Sequence, residues 1–213
     1  MRFGGVVLCG GKSSRMGYPK AWLPFGEEVM LQRVVRLLSE AISPIVAVAA
    51  PGQELPQLAA EIEVARDRRE SRGPLEGLLA GLSALEGRCD AAYAGSCDAP
   101  RLVPAFVRRM TELLGRHQIA VPCEGRFCHP LAAVYRLEVT PQIEKLLAAD
   151  RLRPAFLFDE ADTLRVPVEE LQAVDPELRT LANLNHSREY LDALAAEGLA
   201  PPENIPIPPT EEP

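Results

Sequence analysis

No stretch of this chain is apolar for long enough to span a bilayer, and its beginning lacks the extended apolar region of a secretory signal. These absences predict a cytoplasmic protein without membrane contact. The 5 cysteines are odd in number and scattered, so no disulfide framework is expected. Positive charge is in deficit: 23 Lys and Arg stand against 30 Asp and Glu, a net charge of −7. That balance argues against a nucleic-acid binder. An anionic ligand would have to be held by local cations and a metal ion, because the global field opposes it. Neither an internal repeat nor a second-domain boundary is visible. With 213 residues, 47% of them hydrophobic, the chain suits one α/β domain with an ample core.

Several familiar motifs are also missing. Gly11-Lys12-Ser13 imitates the end of a phosphate-binding Walker loop, but Val6 stands where its first glycine belongs. The dinucleotide pattern fails too, since Gly10 and Gly11 are adjacent and Gly17 is too distant. Cys123, Cys128 and His129 lack a fourth ligand at zinc spacing. No Ser–His–Asp arrangement can be argued from spacing, and nothing pairs Cys9 with a base. What is present is the stretch Gly4–Lys20, GGVVLCGGKSSRMGYPK. Its apolar run Val6-Val7-Leu8 reads as a buried strand that opens into a glycine turn. Glycines let backbone N–H groups approach an anion closely. Lys12, Arg15 and Lys20 follow, and a guanidinium can bind two phosphate oxygens at once. Such a turn at the carboxyl end of a strand predicts a polyphosphate site. The pattern L-x-G-G-x-S-x-R-M-G, with Lys20 shortly after, resembles the signature of nucleotidyltransferases that activate sugars, isoprenoid precursors and the pterin cofactor of molybdenum.

Further along, apolar spacing predicts helices near residues 29–40, 73–85, 106–114, 139–149, 154–160 and 187–197, with a short one at 53–61. Strands are expected at 45–50, 62–64, 90–94, 119–122 and 163–168, and 126–135 is expected to be an extended stretch that pairs antiparallel. This alternation favours a mostly parallel, doubly wound sheet. Gly77 and Gly81, four apart on one helix, leave a groove for backbone or for ligand. Residues 1–197 are expected to form the domain, and 198–213, rich in proline, a disordered tail.

Joining two anions demands that their repulsion be lowered, and magnesium does so through hard oxygen ligands. Asp98, just beyond a strand, is the candidate ligand; the alternative is a turn aspartate capping the next helix. Asp67 is a second candidate, or a surface partner of Arg66, Arg68 and Arg69. Lys20 and Arg15 are candidate clamps for the charge that develops on leaving pyrophosphate, with a solvated surface role the alternative for Lys20. His129 either approaches substrate or satisfies backbone groups near Pro130.

Taken with Asp67, Gly73-Pro74-Leu75-x-Gly77, Cys97-Asp98-Ala99-Pro100, His129-Pro130-Leu131 and Asn183-Leu184-Asn185, the chain resembles the molybdenum cofactor guanylyltransferase family from residue 4 to about 196. That resemblance implies a Rossmann-like three-layer αβα sandwich of the nucleotide-diphospho-sugar-transferase type. It implies GTP and molybdopterin as substrates, Mg2+ on Asp98, and GMP transfer with release of pyrophosphate. By position, Leu8, Cys9, Gly10 and Gly11 would meet the nucleotide, Lys20 its phosphates, Asp67 the nucleoside, and Asn183 and Asn185 the pterin side. A monomer in transient contact with other molybdenum cofactor proteins is expected. Three departures stand out: Cys9 for the usual alanine, Val48-Ala49-Ala50 where an asparagine can occur, and His186-Ser187-Arg188 for the common threonine-proline. The second leaves open a CTP-dependent enzyme or one with a sugar-phosphate acceptor. A non-catalytic nucleotide-binding partner in cofactor delivery is the reading from another class.

Overall fold

The computed structural model describes residues 1–10, 16–69 and 72–202. The expected tail therefore lies mostly outside the described residues. In chain order the elements are β1 (Phe3–Leu8), a 3-10 turn (Lys20–Trp22), the short hairpin β2 (Pro24–Phe25) and β3 (Glu28–Val29), α1 (Met30–Ser39), β4 (Ile45–Ala49), β5 (Glu63–Arg66), α2 (Pro74–Ala84), β6 (Ala91–Ser96) and α3 (Pro104–Leu113). There follow β7 (Ile119–Glu124), β8 (Phe127–Cys128), β9 (Ala133–Arg136), α4 (Thr140–Ala148), α5 (Ala155–Glu160), β10 (Thr163–Pro167) and α6 (Ser187–Ala196), with further 3-10 turns between them.

The main sheet runs β10-β7-β9-β6-β1-β4-β5, with β8 paired to β7. β1 is parallel to β4 and β6, β4 to β5, and β7 to β10, while β9 runs antiparallel between β6 and β7. The carboxyl ends of β1, β4, β5, β6 and β7 therefore share one edge. The central strands are apolar on both faces because a helix layer covers each. Val6, Leu8, Val46 and Val48 face α2 and α4, whereas Val7, Ile45, Ala47 and Tyr93 face α1 and α3. This is the three-layer α/β sandwich.

Helix α2 lies close on β1, and its glycines explain how. A Cβ at Gly81 would stand 2.3 Å from Val6 Cγ1, and one at Gly77 would stand 3.0 Å from a Leu8 methyl. The groove expected on this helix therefore receives the sheet. A third apolar cluster joins Met16, Leu23, Phe25 and Met30 to Leu184, Tyr190 and Leu194 of the C-terminal segment. Helix α6 ends with Gly198 at φ +69, the Leu199 N–H bonding to Leu194 O at 2.9 Å. Leu199 packs on the same cluster.

Two expectations are corrected. Residues 53–61 are not helical. Pro56 has no N–H, and the carbonyls a helix would need there accept from outside: Gln53 O from Arg66, Glu54 O from Trp22, Gln57 O from Gln32. Cys123 and Cys128 form one disulfide, because the tight turn between β7 and β8 sets them opposite each other. Sequence spacing alone shows no such pairing. Among the described residues no helix is long and apolar enough to cross a membrane.

Candidate active site

Three strand ends build one half of the sheet's carboxyl edge. β1 delivers Leu8, Cys9 and Gly10, β4 ends at Ala49-Ala50, and β5 leads into Asp67, whose N–H donates to Ala49 O at 3.0 Å. Gln53 laces them together. Its Oε1 accepts from Ala50 N at 2.9 Å, and its Nε2 donates to Cys9 O at 3.0 Å. Arg66 adds bonds from its guanidinium to Ala50 O and Gln53 O. Gln53 escaped sequence reasoning, since a side chain that ties two strand ends has no local signature.

Asp67 sits between two glycines. A Cβ at Gly10 would stand 3.4 Å from its Oδ2, and a Cβ at Gly77 would stand 3.2 Å from its Oδ1. That Oδ1 is buried and has no hydrogen-bond partner among the described residues. Burial, and then the nearby charge of Glu76, push the carboxyl up to about 6. Arg66 is bonded to backbone carbonyls, so pairing of Asp67 with Arg66 is not what the structure has. Cys9 is buried beside Cys97, and contact with that thiol, then burial, push its pKa well up. It is held as an inert thiol.

The second half begins at β6. Asp98 follows it by two residues, and its Oδ2 accepts from Lys20 Nζ at 2.8 Å. Lys20 also donates to Asn185 Oδ1 at 2.8 Å. The side chains of Lys20 and Asp98 are only 16% and 13% exposed, so neither is a solvated surface charge. Leu184 N donates to Asp98 O at 2.8 Å, which zips the 183–185 segment onto the turn after β6. Glu189, in the first turn of α6, accepts from the Asn185 and His186 N–H groups and fixes that entry. The third apolar cluster thus has a chemical consequence: packing of α6 on Met16, Leu23 and Phe25 carries Asn185 to Lys20.

The structure brings Lys20, Asp98 and Asn185 into direct contact on the edge that also holds Gly10 and Asp67. Asn183, two residues before Asn185, is exposed. Gly11 and Arg15, like Lys12, Ser13 and Ser14, lie outside the described residues. Among the described residues His129 Nε2 has no hydrogen-bond partner, and it lies 3.4 Å from Glu124 Oε1, so this nitrogen does not satisfy backbone groups near Pro130. Tyr135 does that, donating to Pro130 O at 2.7 Å. Burial lowers the His129 pKa, partly offset by Glu124.

A divalent metal fits this site on one observation. The second carboxylate oxygen of Asp98, Oδ1, is buried without a hydrogen-bond partner among the described residues. A buried carboxylate oxygen is costly to leave unpaired, and a hard cation takes such ligands. The single carboxylate suits magnesium, which keeps waters and substrate oxygens in its shell.

A family model described as the MobA-like NTP transferase domain matches residues 5–164. A probable molybdenum cofactor guanylyltransferase of Mycobacterium avium is 36% identical over 200 residues, covering 92% of this chain and 96% of that protein. One from Methanosarcina acetivorans is 36% identical over 194 residues, covering 84% of each. Among solved structures, molybdopterin-guanine dinucleotide biosynthesis protein A of Archaeoglobus fulgidus superposes with a TM-score of 0.75 at 20% identity, over 93% of this chain and 99% of that one.

Proposed function

The chain belongs to the MobA-like NTP transferase family and, within it, to the molybdenum cofactor guanylyltransferases; from that premise we propose that it transfers GMP from GTP to molybdopterin. The products are molybdopterin guanine dinucleotide and pyrophosphate. The observation that carries the reading is the Lys20 ammonium bridging Asp98 and Asn185 on the sheet edge that also holds Gly10.

In this reading the backbone of Leu8, Cys9 and Gly10 meets the nucleotide, and Gly11 shares that role. Asp67 accepts hydrogen bonds from the nucleoside through its unpartnered oxygen. Lys20, together with Arg15, stabilises charge on the β- and γ-phosphates as pyrophosphate leaves, more in the transition state than in the ground state. Asp98 would hold Mg2+, which when bound draws charge from the phosphate oxygens and lowers their repulsion. A terminal phosphate oxygen of the acceptor forms a bond to the α-phosphorus of GTP, and the bond to pyrophosphate breaks. Asn185 orients Lys20 at that point, and Asn183 faces the pterin side. We place the protein in the cytoplasm as a monomer that meets other molybdenum cofactor proteins transiently.

Incubation with magnesium, each nucleoside triphosphate in turn and either molybdopterin or a sugar phosphate, with pyrophosphate followed, tests the reading. Release with GTP is expected. Release with CTP alone rejects the base, and release only with a sugar phosphate rejects the acceptor.

A further inference from the structure

Resting on that reading, we propose that the β7–β8 hairpin forms the seat for the acceptor's flat heterocycle, with Phe127 stacking on it and the Glu124 carboxylate accepting from its ring N–H groups. The argument begins with where the reacting atoms stand. Transfer occurs at the Asp98–Lys20 pair on the end of β6. Gly10, Gln53 and Asp67 lie on the β1, β4 and β5 side of that point, the side of the nucleotide. The acceptor's phosphate reaches the α-phosphorus in line with the leaving pyrophosphate, and with the nucleoside filling the β1, β4 and β5 side, the ends of β9 and β7 are left for its ring. Two strand spacings are roughly 10 Å, about the length that separates a phosphate from the ring it is tethered to.

At the carboxyl end of β7, two strands from β6 in the sheet, the chain presents an exposed aromatic residue. Phe127 is 65% exposed, the largest exposed fraction among the big apolar side chains described. The His129 ring meets it edge-on, with centroids 4.9 Å apart and planes at 88°. His129 Nε2 in turn faces Glu124 Oε1 at 3.4 Å. The three side chains therefore form one connected group on the rim. Their base is rigid: the Cys123–Cys128 disulfide closes the hairpin, and His129 N donates to Pro122 O at 2.8 Å. A site held this way loses little entropy on binding.

The chemistry matches a pterin. Its pyrimidine ring carries an N–H and an amino group side by side, two donors that one carboxylate accepts together. Its face is a π surface for an aromatic ring. Phe127 and Glu124 supply one partner for each.

Equilibrium dialysis of molybdopterin against the full chain and its Phe127→Ala, Phe127→Tyr and Glu124→Gln variants tests this, with GTP binding measured in parallel. Phe127→Ala and Glu124→Gln should each weaken molybdopterin binding roughly five- to tenfold. Phe127→Tyr should bind as the unaltered protein does, and GTP affinity should not change. Equal molybdopterin affinity in all four proteins overturns the proposal, as does an equal loss of GTP binding. If the unaltered protein turns over GTP with molybdopterin while these variants bind it normally, only this inference falls. If it does not turn over, the function proposed above falls by that separate measurement.

Discussion

Asp98 and Lys20 are almost withdrawn from water, and each answers the other's charge at 2.8 Å. Removing one partner of a buried pair leaves the other uncompensated, which costs more than the pair itself contributes. Lys20→Ala is therefore expected to lower stability by about 1–3 kcal/mol, read as a fall in Tm. It should also lower kcat by about 100- to 1,000-fold. Adding Asp98→Asn should recover much of the stability and none of the activity, which separates the catalytic loss from a folding defect. Full turnover by Lys20→Ala would contradict the clamp role. Asp67 behaves differently. Unfolded, its carboxyl titrates at the ordinary 3.8; folded, at about 6. The folded state thus keeps the proton over the wider range, and stability is lost as pH climbs from the first value to the second. Asp67→Asn should raise Tm by ~2–4 °C near neutrality, about 1 kcal/mol once solvent screening of a half-exposed group is allowed for. The gain should vanish in acid below the ordinary carboxylate range, and KM for GTP should rise. A Tm that is unchanged at both pH values would show that this carboxyl is not perturbed.

At the scale of elements, α2 and α6 position the site without touching its centre. Gly81 faces Val6, a β-branched residue in the middle of the sheet that cannot turn aside. Alanine there would add ~1 kcal/mol of helix propensity, but the clash at 2.3 Å outweighs it. Gly81→Ala is expected to cost about 1–3 kcal/mol net; a thermal melt with raised Tm would refute the packing argument. Most elements could be placed from apolar periodicity, because helices and strands that bury one face carry that period in the chain. The segment 53–61 could not, since Trp22, Gln32 and Arg66, distant in sequence, take its carbonyls. For the same reason the Lys20–Asn185 bond was invisible, although each residue had been singled out. Their meeting depends on Tyr190 and Leu194 packing across the fold onto Leu23 and Phe25.

Across the whole molecule, parallel strands gather the ends of β1, β4, β5, β6 and β7 on one edge, the edge that holds Gly10, Asp67 and Asp98. Gly10 and the aspartate after β6 were legible because each sits just past the end of a strand. Gln53 was not, because the Cys9 carbonyl it reaches is distant in sequence; the Glu189 bonds and the Phe127–His129 contact are local and depend on how each side chain is turned. With a net charge of −7 the protein repels its anionic substrates at long range, and the site must outweigh that repulsion locally. The proposed transfer therefore depends on one divalent cation held at the Asp98 carboxylate. Crystals soaked with Mn2+ and GTP, read by anomalous scattering, test this most directly. The predicted result is a manganese peak about 2.1–2.2 Å from the Asp98 carboxylate and in contact with the triphosphate; a triphosphate seated in the cleft with its manganese away from Asp98 would contradict it.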